Sequence, residues 1–205
     1  MTILYATTNP GKFVEAAKAF AAHGHIINSP EELGLKKVVE ETGETLEENA
    51  ILKAEAYLPH VPAGSIVIGD DTGIEIDALG GEPGVKVRRW LGHNMSDQEI
   101  VDYTLKRLKK VTLQKRTAHF RTVLAIAQQG QPTVTVDGVL SGQILTAPVG
   151  RMREGMPFWQ IFYIQDLKMT LGQFHAKTIE YQLEHPTHRE KAIQAALVYL
   201  AKNRS

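Results

Sequence analysis

The apolar positions of this chain fall into short blocks whose spacing switches between alternation and a helical repeat of about 3.6 residues. Thr2 to Ala6 reads as a short buried strand, and a polar turn from Thr7 to Gly11 follows. Lys12 to His23 then carries Phe13, Ala16, Ala17 and Phe20 at helical spacing before Gly24. After an irregular stretch containing Pro30 and Gly34, Thr45-x-x-Glu48 predicts a capping box for a second helix that runs through Ala50, Leu52 and Ala54 to about Leu58. Pro59 and Pro62 end it. The β-branched run Ser65 to Gly69 predicts a buried strand that stops at Asp70-Asp71-Thr72-Gly73. Beyond it Ile74, Ile76 and Ala78 alternate with Glu75 and Asp77 as in a half-buried strand, which puts the acidic pair at a strand end.

Leu79 to Gly84 is a turn cluster, and Ser96-x-x-Glu99 caps a third helix ending in the basic stretch Lys106 to Lys110. His119 to Ala127 and Thr133 to Leu140 predict an antiparallel pair, with Gly142 to Leu145 extending its second member. Thr187-x-x-Glu190 opens a terminal helix with Ile193, Ala196, Leu197 and Leu200 on one face. No repeat, low-complexity segment or domain-length linker interrupts the pattern. It implies one α/β domain over residues 1–205, with a mixed sheet, helices on its faces and polar motifs gathered at strand ends.

Composition narrows the function. At 205 residues the chain can bury roughly 70% of the surface its unfolded form exposes, enough for a core without staples. Lys+Arg 23 balances Asp+Glu 23, so no broad electrostatic footprint for nucleic acid or an anionic membrane exists, and affinity for phosphate must come from a local cluster. With no cysteine, disulfides and thiolate metal sites are excluded. The N-terminal apolar run is too short for a signal segment, and no stretch approaches the about 18 apolar residues of a membrane span. A cytoplasmic protein is the expectation.

Three groups of residues can carry chemistry. Thr7-Thr8-Asn9-Pro10-Gly11-Lys12 joins a strand to a helix N-terminus, where unpaired N–H groups and the helix dipole favour an anion and Lys12 adds a full charge. It is either a phosphate cradle or a plain Pro-Gly turn with an Asn or Thr cap. It is not a P-loop, since GxxxxGK[ST] is absent. Glu40-Glu41 and Asp70-Asp71 are acidic pairs from separate segments, and hard oxygen ligands of this kind suit Mg²⁺ unless the pairs are simply solvated. Lys53, on the capped helix, can face solvent or a phosphate. His188-Arg189 sit in the first turn of the last helix, where cations oppose the dipole unless an anion binds there or Glu184 or Glu190 pairs with them.

The blocks Thr8 to Lys12, Glu41 to Ala54, Asp70 to Leu79 and Pro83-Gly84, then His119 to Ala125 and Thr187-His188-Arg189, resemble in order and spacing the Ham1/inosine triphosphatase family. The match covers nearly the whole chain and is closer in its first half. The resemblance implies an elongated, two-lobed α/β protein with a central mixed sheet and a cleft between the lobes, acting as a homodimer. It implies hydrolysis of inosine, xanthosine and deoxyinosine triphosphates to monophosphate and pyrophosphate, with Mg²⁺ as the only cofactor. By the same resemblance Asp71 is the catalytic base and a metal ligand, Glu41 a second ligand and Asp70 a supporting carboxylate counted with them at the metal. Thr7, Thr8, Asn9, Gly11, Lys12, Lys53 and Thr72 would hold the phosphates, and His188 and Arg189 the nucleotide.

Two departures bear on the base. Where the family has Gly-Phe-Gly-Tyr-Asp-Pro, this chain has Gly155-Met156-Pro157-Phe158-Trp159-Gln160, and the lysine expected five residues before the His-Arg pair is Leu183. Phe158 and Trp159 could stack on any base, which predicts a shifted or broadened preference; alternatively the segment only packs its lobe. Two other functions fit parts of the sequence. A nucleotide-binding sensor without turnover would account for the altered second half, and Ile66 to Asp71 resembles the late acidic motif of haloacid-dehalogenase-like phosphatases, although their upstream Asp-x-Asp nucleophile is missing.

Overall fold

In the computed structural model, which describes residues 2–35 and 39–202, the chain opens with strand β1 (Ile3–Ala6) and helix α1 (Pro10–Ala22). Helix α2 (Leu46–Tyr57) runs into a 3-10 turn at Leu58–His60. Strands β2 (Ile66–Ile76) and β3 (Pro83–Gly84) follow, then α3 (Asp97–Arg107), β4 (Thr117–Gln128) and β5 (Val134–Ile144). A 3-10 turn at Pro157–Gln160, the short strands β6 (Phe162–Ile164) and β7 (Met169–Thr170), and helices α4 (Leu171–Phe174), α5 (Ile179–Glu184) and α6 (His188–Lys202) complete the chain.

The expected capping boxes form at α2 and α3. Thr45 and Glu48 exchange both bonds at the start of α2, and Ser96 and Glu99 do so at α3. At α6 the Glu190 carboxylate accepts from both the backbone N–H and the hydroxyl of Thr187. Helix α1 starts two residues earlier than the apolar spacing alone predicts. Pro10, whose fixed φ suits the first turn, follows Asn9, whose side chain accepts from the N–H groups of Gly11 at 2.9 Å and Lys12 at 3.2 Å.

The strands form one mixed sheet in the order β1-β2-β4-β5-β6-β7, with β3 paired to β2. β1 and β2 are parallel, Ile3 to Ala6 facing Ile66 to Gly69 in register, while β2–β3, β5–β6 and β6–β7 are antiparallel. The α/β class and the mixed sheet agree with the sequence. One expectation does not hold: β2 runs unbroken through Asp70, Asp71, Thr72 and Gly73, so the acidic pair lies in mid-strand. The sequence signal misleads because strand patterning assumes a solvated polar face, and here both carboxylates are buried against cations.

The chain divides into two compact units, one of Met1–Thr72, Thr122–Val139 and Pro186–Ser205, the other of Gly73–Arg121 and Leu140–His185. The first unit's core packs Tyr5, Phe20, Ile66, Ile68, Leu124, Ile126 and Ile193. The second's packs Ile74, Ile100, Leu108, Phe120, Ile144, Phe162 and Phe174. Among the described residues no helix is long and apolar enough to cross a membrane.

Candidate active site

The first unit assembles the polar cluster, and two glycines explain how. A Cβ added to Gly69 would overlap the carbonyl oxygen of Ala50 and lie 2.8 Å from the backbone N of Ala54, so α2 rests its backbone directly on β2. Ala50 and Ala54, both fully buried, keep that seat flat. Likewise a Cβ on Gly138 of β5 would overlap the carbonyl of His188 and lie 2.6 Å from the N of Ala192, which seats the start of α6 on the sheet. Both helices thereby bring a cation to the acidic pair, Lys53 from α2 and Arg189 from α6.

Alternation along β2 separates the two carboxylates. Asp71 shares its face with Gly69 and meets α2, while Asp70 shares its face with Thr72 and meets α1 and α6. On the α2 side Lys53 Nζ donates to Asp71 Oδ1 at 2.8 Å, to Glu41 Oε1 at 2.8 Å and to the carbonyl of Asp70 at 2.9 Å. Asn49 Nδ2 approaches Asp71 Oδ2 at 3.4 Å, and its own oxygen accepts from the N–H of Gly43 at 2.8 Å, tying the loop that carries Glu41 to α2. Burial works against the ammonium of Lys53, but Asp71 and Glu41 outweigh it and raise its pKa. Glu40, the other half of the first acidic pair, is exposed.

On the opposite face Asp70 is fully buried and saturated. Tyr5 and Arg189 Nη1 donate to its Oδ2, Lys12 Nζ donates to Oδ1 at 2.9 Å, and the Thr72 hydroxyl donates to Oδ1 at 3.1 Å. Burial would raise its pKa, yet Arg189 and Lys12 dominate and hold it well below the usual carboxylate range. Arg189 spends each of its nitrogens inside this network: Nε donates to Glu15 at 2.7 Å and Nη2 to Thr72 at 3.3 Å. Thr72 shares a 2.9 Å hydroxyl contact with Thr122. The cationic first turn of α6 is therefore balanced from the sheet and from α1, while Glu190 serves Thr187.

The structure thus brings together Asn9, Gly11, Lys12, Glu41, Lys53, Asp70, Asp71, Thr72 and Arg189. Thr7 caps the turn, its hydroxyl accepting from the N–H of Asn9 at 3.2 Å, and Thr8 is exposed. His188 is buried beside Arg189. Phe158 and Trp159 belong to the second unit, where they are only 3% and 8% exposed. Phe158 meets Phe120 edge to face at 5.9 Å, and Trp159 stacks on His175 at 4.2 Å with Arg153 over its ring at 5.3 Å. Four partners escape the sequence reading: Tyr5, Glu15, Asn49 and Thr122. Tyr5 and Thr122 sit at strand positions assigned to packing and the others at polar positions outside the apolar stripes, so only the contact itself reveals each role.

Among the described residues no group of three or more His, Asp or Glu side chains gathers as a metal centre. Glu41 and Asp71 nevertheless offer two hard oxygens to a single cationic point, the position held by Lys53. That donor set suits Mg²⁺, which keeps several waters and commonly uses one or two carboxylates together with substrate phosphates.

The order of these motifs matches the Ham1 family model over residues 3–199. The chain belongs to the Ham1 family. A relative from Bacillus subtilis (strain 168), a dITP/XTP pyrophosphatase, is 39% identical over 170 residues, covering 83% of this chain and 84% of its own. A dITP/XTP pyrophosphatase from Thermoanaerobacter pseudethanolicus is 36% identical over 202 residues, 98% of each chain. Among solved structures, the Staphylococcus aureus Ham1 protein superposes with a TM-score of 0.79 at 32% identity over 100% of both chains. A HAM1 protein from Coxiella burnetii gives the same TM-score at 26% identity, over 98% of this chain and 99% of its own. Membership removes the haloacid-dehalogenase alternative, whose nucleophile the sequence already lacked.

Proposed function

We propose that this protein hydrolyses non-standard purine nucleoside triphosphates, of the deoxyinosine and xanthosine kind that its relatives' names record, to nucleoside monophosphate and pyrophosphate. The observation that carries this reading is the convergence of Glu41, Asp71 and Lys53 on one point. Asp71 adjoins Asp70, which Lys12 grips from the N-terminal turn of α1. Such a cluster gives a triphosphate both a cationic clamp and a carboxylate able to accept a proton.

Glu41 and Asp71 would hold Mg²⁺, whose Lewis acidity polarises a phosphate oxygen and a water molecule. Lys12 and the exposed Thr8 receive phosphate oxygens, aided by the dipole of α1, whose first N–H groups Asn9 already caps. Lys53 neutralises charge on the departing pyrophosphate. Asp71 takes the proton of the water that attacks the α-phosphorus, and Asn49 keeps its second oxygen in place. Positioning and electrostatics suffice for such a transfer, which asks little covalent work of the protein. Asp70 we assign to positioning, not to metal ligation, since four donors already fill its oxygens. Arg189 acts through Asp70 and Glu15, fixing the anchor from which Lys12 extends.

The same reading places the protein in the cytoplasm as a homodimer that cleanses the nucleotide pool, on the strength of the family resemblance. A panel of nucleoside triphosphates assayed for pyrophosphate against orthophosphate, with and without Mg²⁺, tests the chemistry. Pyrophosphate from inosine or xanthosine triphosphate is expected only with the metal. Orthophosphate as the sole product would move the cut to another bond, and tight binding without turnover would favour a sensor.

A further inference from the structure

Lys53 stands where a divalent cation would have to sit. Its ammonium has three N–H donors, and three oxygens receive them: Glu41 Oε1 at 2.8 Å, Asp71 Oδ1 at 2.8 Å and the Asp70 carbonyl at 2.9 Å. The group is nearly enclosed, its side chain 10% exposed beside an Asp71 that is 7% exposed. A full positive charge at contact distance from the two carboxylates repels any second cation that approaches them. The backbone beneath Lys53 does not yield, because α2 is fastened by its capping box and pressed onto β2 at Gly69. What can move is the four-carbon stem, provided that the ammonium finds other acceptors.

We propose that Lys53 keeps divalent cations away from Glu41 and Asp71 until a triphosphate supplies replacement oxygens for its ammonium, so that metal and nucleotide enter the site together. The inference rests on the hydrolytic reading given above. It adds an order of assembly: the phosphates draw Lys53 off the carboxylates, and the vacated charge is then made good by the cation that accompanies the nucleotide. Lys53 is in this sense a positioning residue for the carboxylates as well as a contact for the substrate.

Mn²⁺ titrated into the whole protein, with bound ion counted by its electron-paramagnetic signal and stability followed by thermal unfolding, provides the test. The wild type is expected to take up no Mn²⁺ at submillimolar concentration when alone, and to take it up when an α,β-methylene inosine triphosphate is present. Lys53→Met leaves two carboxylates without their counter-ion. It is expected to bind Mn²⁺ without nucleotide at least about tenfold more tightly than the wild type, and to regain thermal stability as the ion is added. Lys53→Arg, which keeps the charge, is expected to behave as the wild type. Should Lys53→Met fold poorly, Lys53→Gln replaces it, and the wild-type arm stands without either. Submillimolar Mn²⁺ binding to the wild type alone, or equal affinity in wild type and Lys53→Met, overturns the proposal. Neither result touches the hydrolytic reading, which fails only if the triphosphate panel yields no pyrophosphate.

Discussion

Gly69 of β2 and Ala50 of α2 are in backbone contact, with no room for a single methyl group between strand and helix. That contact sets the height of α2 above the sheet and therefore the reach of Asn49 and Lys53 to Asp71. The consequence is that a residue with no chemistry of its own governs the geometry of the site. Gly69→Ala is expected to cost about 1–3 kcal/mol of folding stability through overpacking against a backbone that cannot rotate away. Turnover should fall further than stability requires, because the lysine is lifted from its carboxylates. Denaturant unfolding alongside kcat at a temperature where the variant is fully folded separates the two effects, and an unchanged kcat would show that the seat does not set the site.

Glu41→Gln and Asp71→Asn should both lower kcat by roughly 10²–10⁴-fold, the range of a lost acid–base or ligand group. Their effects on stability are expected to differ. Glu41 is 42% exposed and its charge is replaceable by water, so Glu41→Gln should stay within about 0.5 kcal/mol of the parent. Asp71 is 7% exposed and pairs with a buried ammonium, so Asp71→Asn should cost about 1–3 kcal/mol. From the sequence alone, adjacent carboxylates suggest crowding that neutralisation would relieve. The structure reverses that expectation for Asp71, since Lys53 already relieves it. Equal unfolding free energies for the two variants would remove Lys53 as the reason.

Much of this arrangement is legible in the sequence because caps and turns speak locally. Thr45 with Glu48, Ser96 with Glu99, and Asn9 before Pro10 each announce a helix start by chemistry confined to four residues. The acidic pair and the lysines are likewise conspicuous as residue types. What the sequence conceals is pairing across distance. Glu15 lies off the stripe of Phe13, Ala16, Ala17 and Phe20, where helical spacing assigns solvent, yet it is buried and its bond to Arg189 spans 174 positions. Tyr5 occupies a strand position that any large apolar residue could fill, and only its hydroxyl on Asp70 separates it from one. The small elements between Phe162 and Glu184 carry too few residues for a period to show, which is why β6, β7, α4 and α5 escape prediction.

Asp70 makes the acid stability of the protein predictable in sign. Its pKa in the folded protein lies below the unfolded value of about 3.9, so its ion pairs contribute fully above that value and are lost as pH falls through the folded one. Wild-type stability should therefore drop as solutions are acidified below about pH 4, while Asp70→Asn, less stable at neutral pH, should show a flatter acid limb. Tyr5→Phe removes one donor to the same carboxylate and should cost about 0.5–2 kcal/mol at pH 7, less than Asp70→Asn, which strands Arg189 and Lys12. Chemical denaturation between pH 2 and 7 checks the slopes. Parallel acid limbs in the wild type and Asp70→Asn would assign the pH dependence to other carboxylates.

The segment that replaces the family's Phe-Gly-Tyr-Asp run packs a core. Trp159 stacks on His175 at an interplanar angle of 11°, receives Arg153 over its ring, and is closely buried together with Phe158, which meets Phe120 in a T-shaped contact. A ring engaged in this way gains its energy from neighbours of its own unit. Removing it should behave as a large-to-small core substitution, costing about 3–5 kcal/mol, and not as the loss of a reader of bases. Discrimination between purines depends on hydrogen bonds whose absence leaves a buried polar group unpaired, and neither Phe158 nor Trp159 offers an acceptor for the base edge. Trp159→Ala is therefore expected to lower the unfolding free energy strongly while the ratio of kcat/KM for xanthosine triphosphate over adenosine triphosphate stays within about threefold, under ~0.7 kcal/mol in transition-state binding. Comparing that ratio in wild type and variant at a temperature where both are folded decides the point. A change of tenfold or more with little loss of stability would return Trp159 to the base, because a ring that reads substrate must lose specificity before it loses the fold.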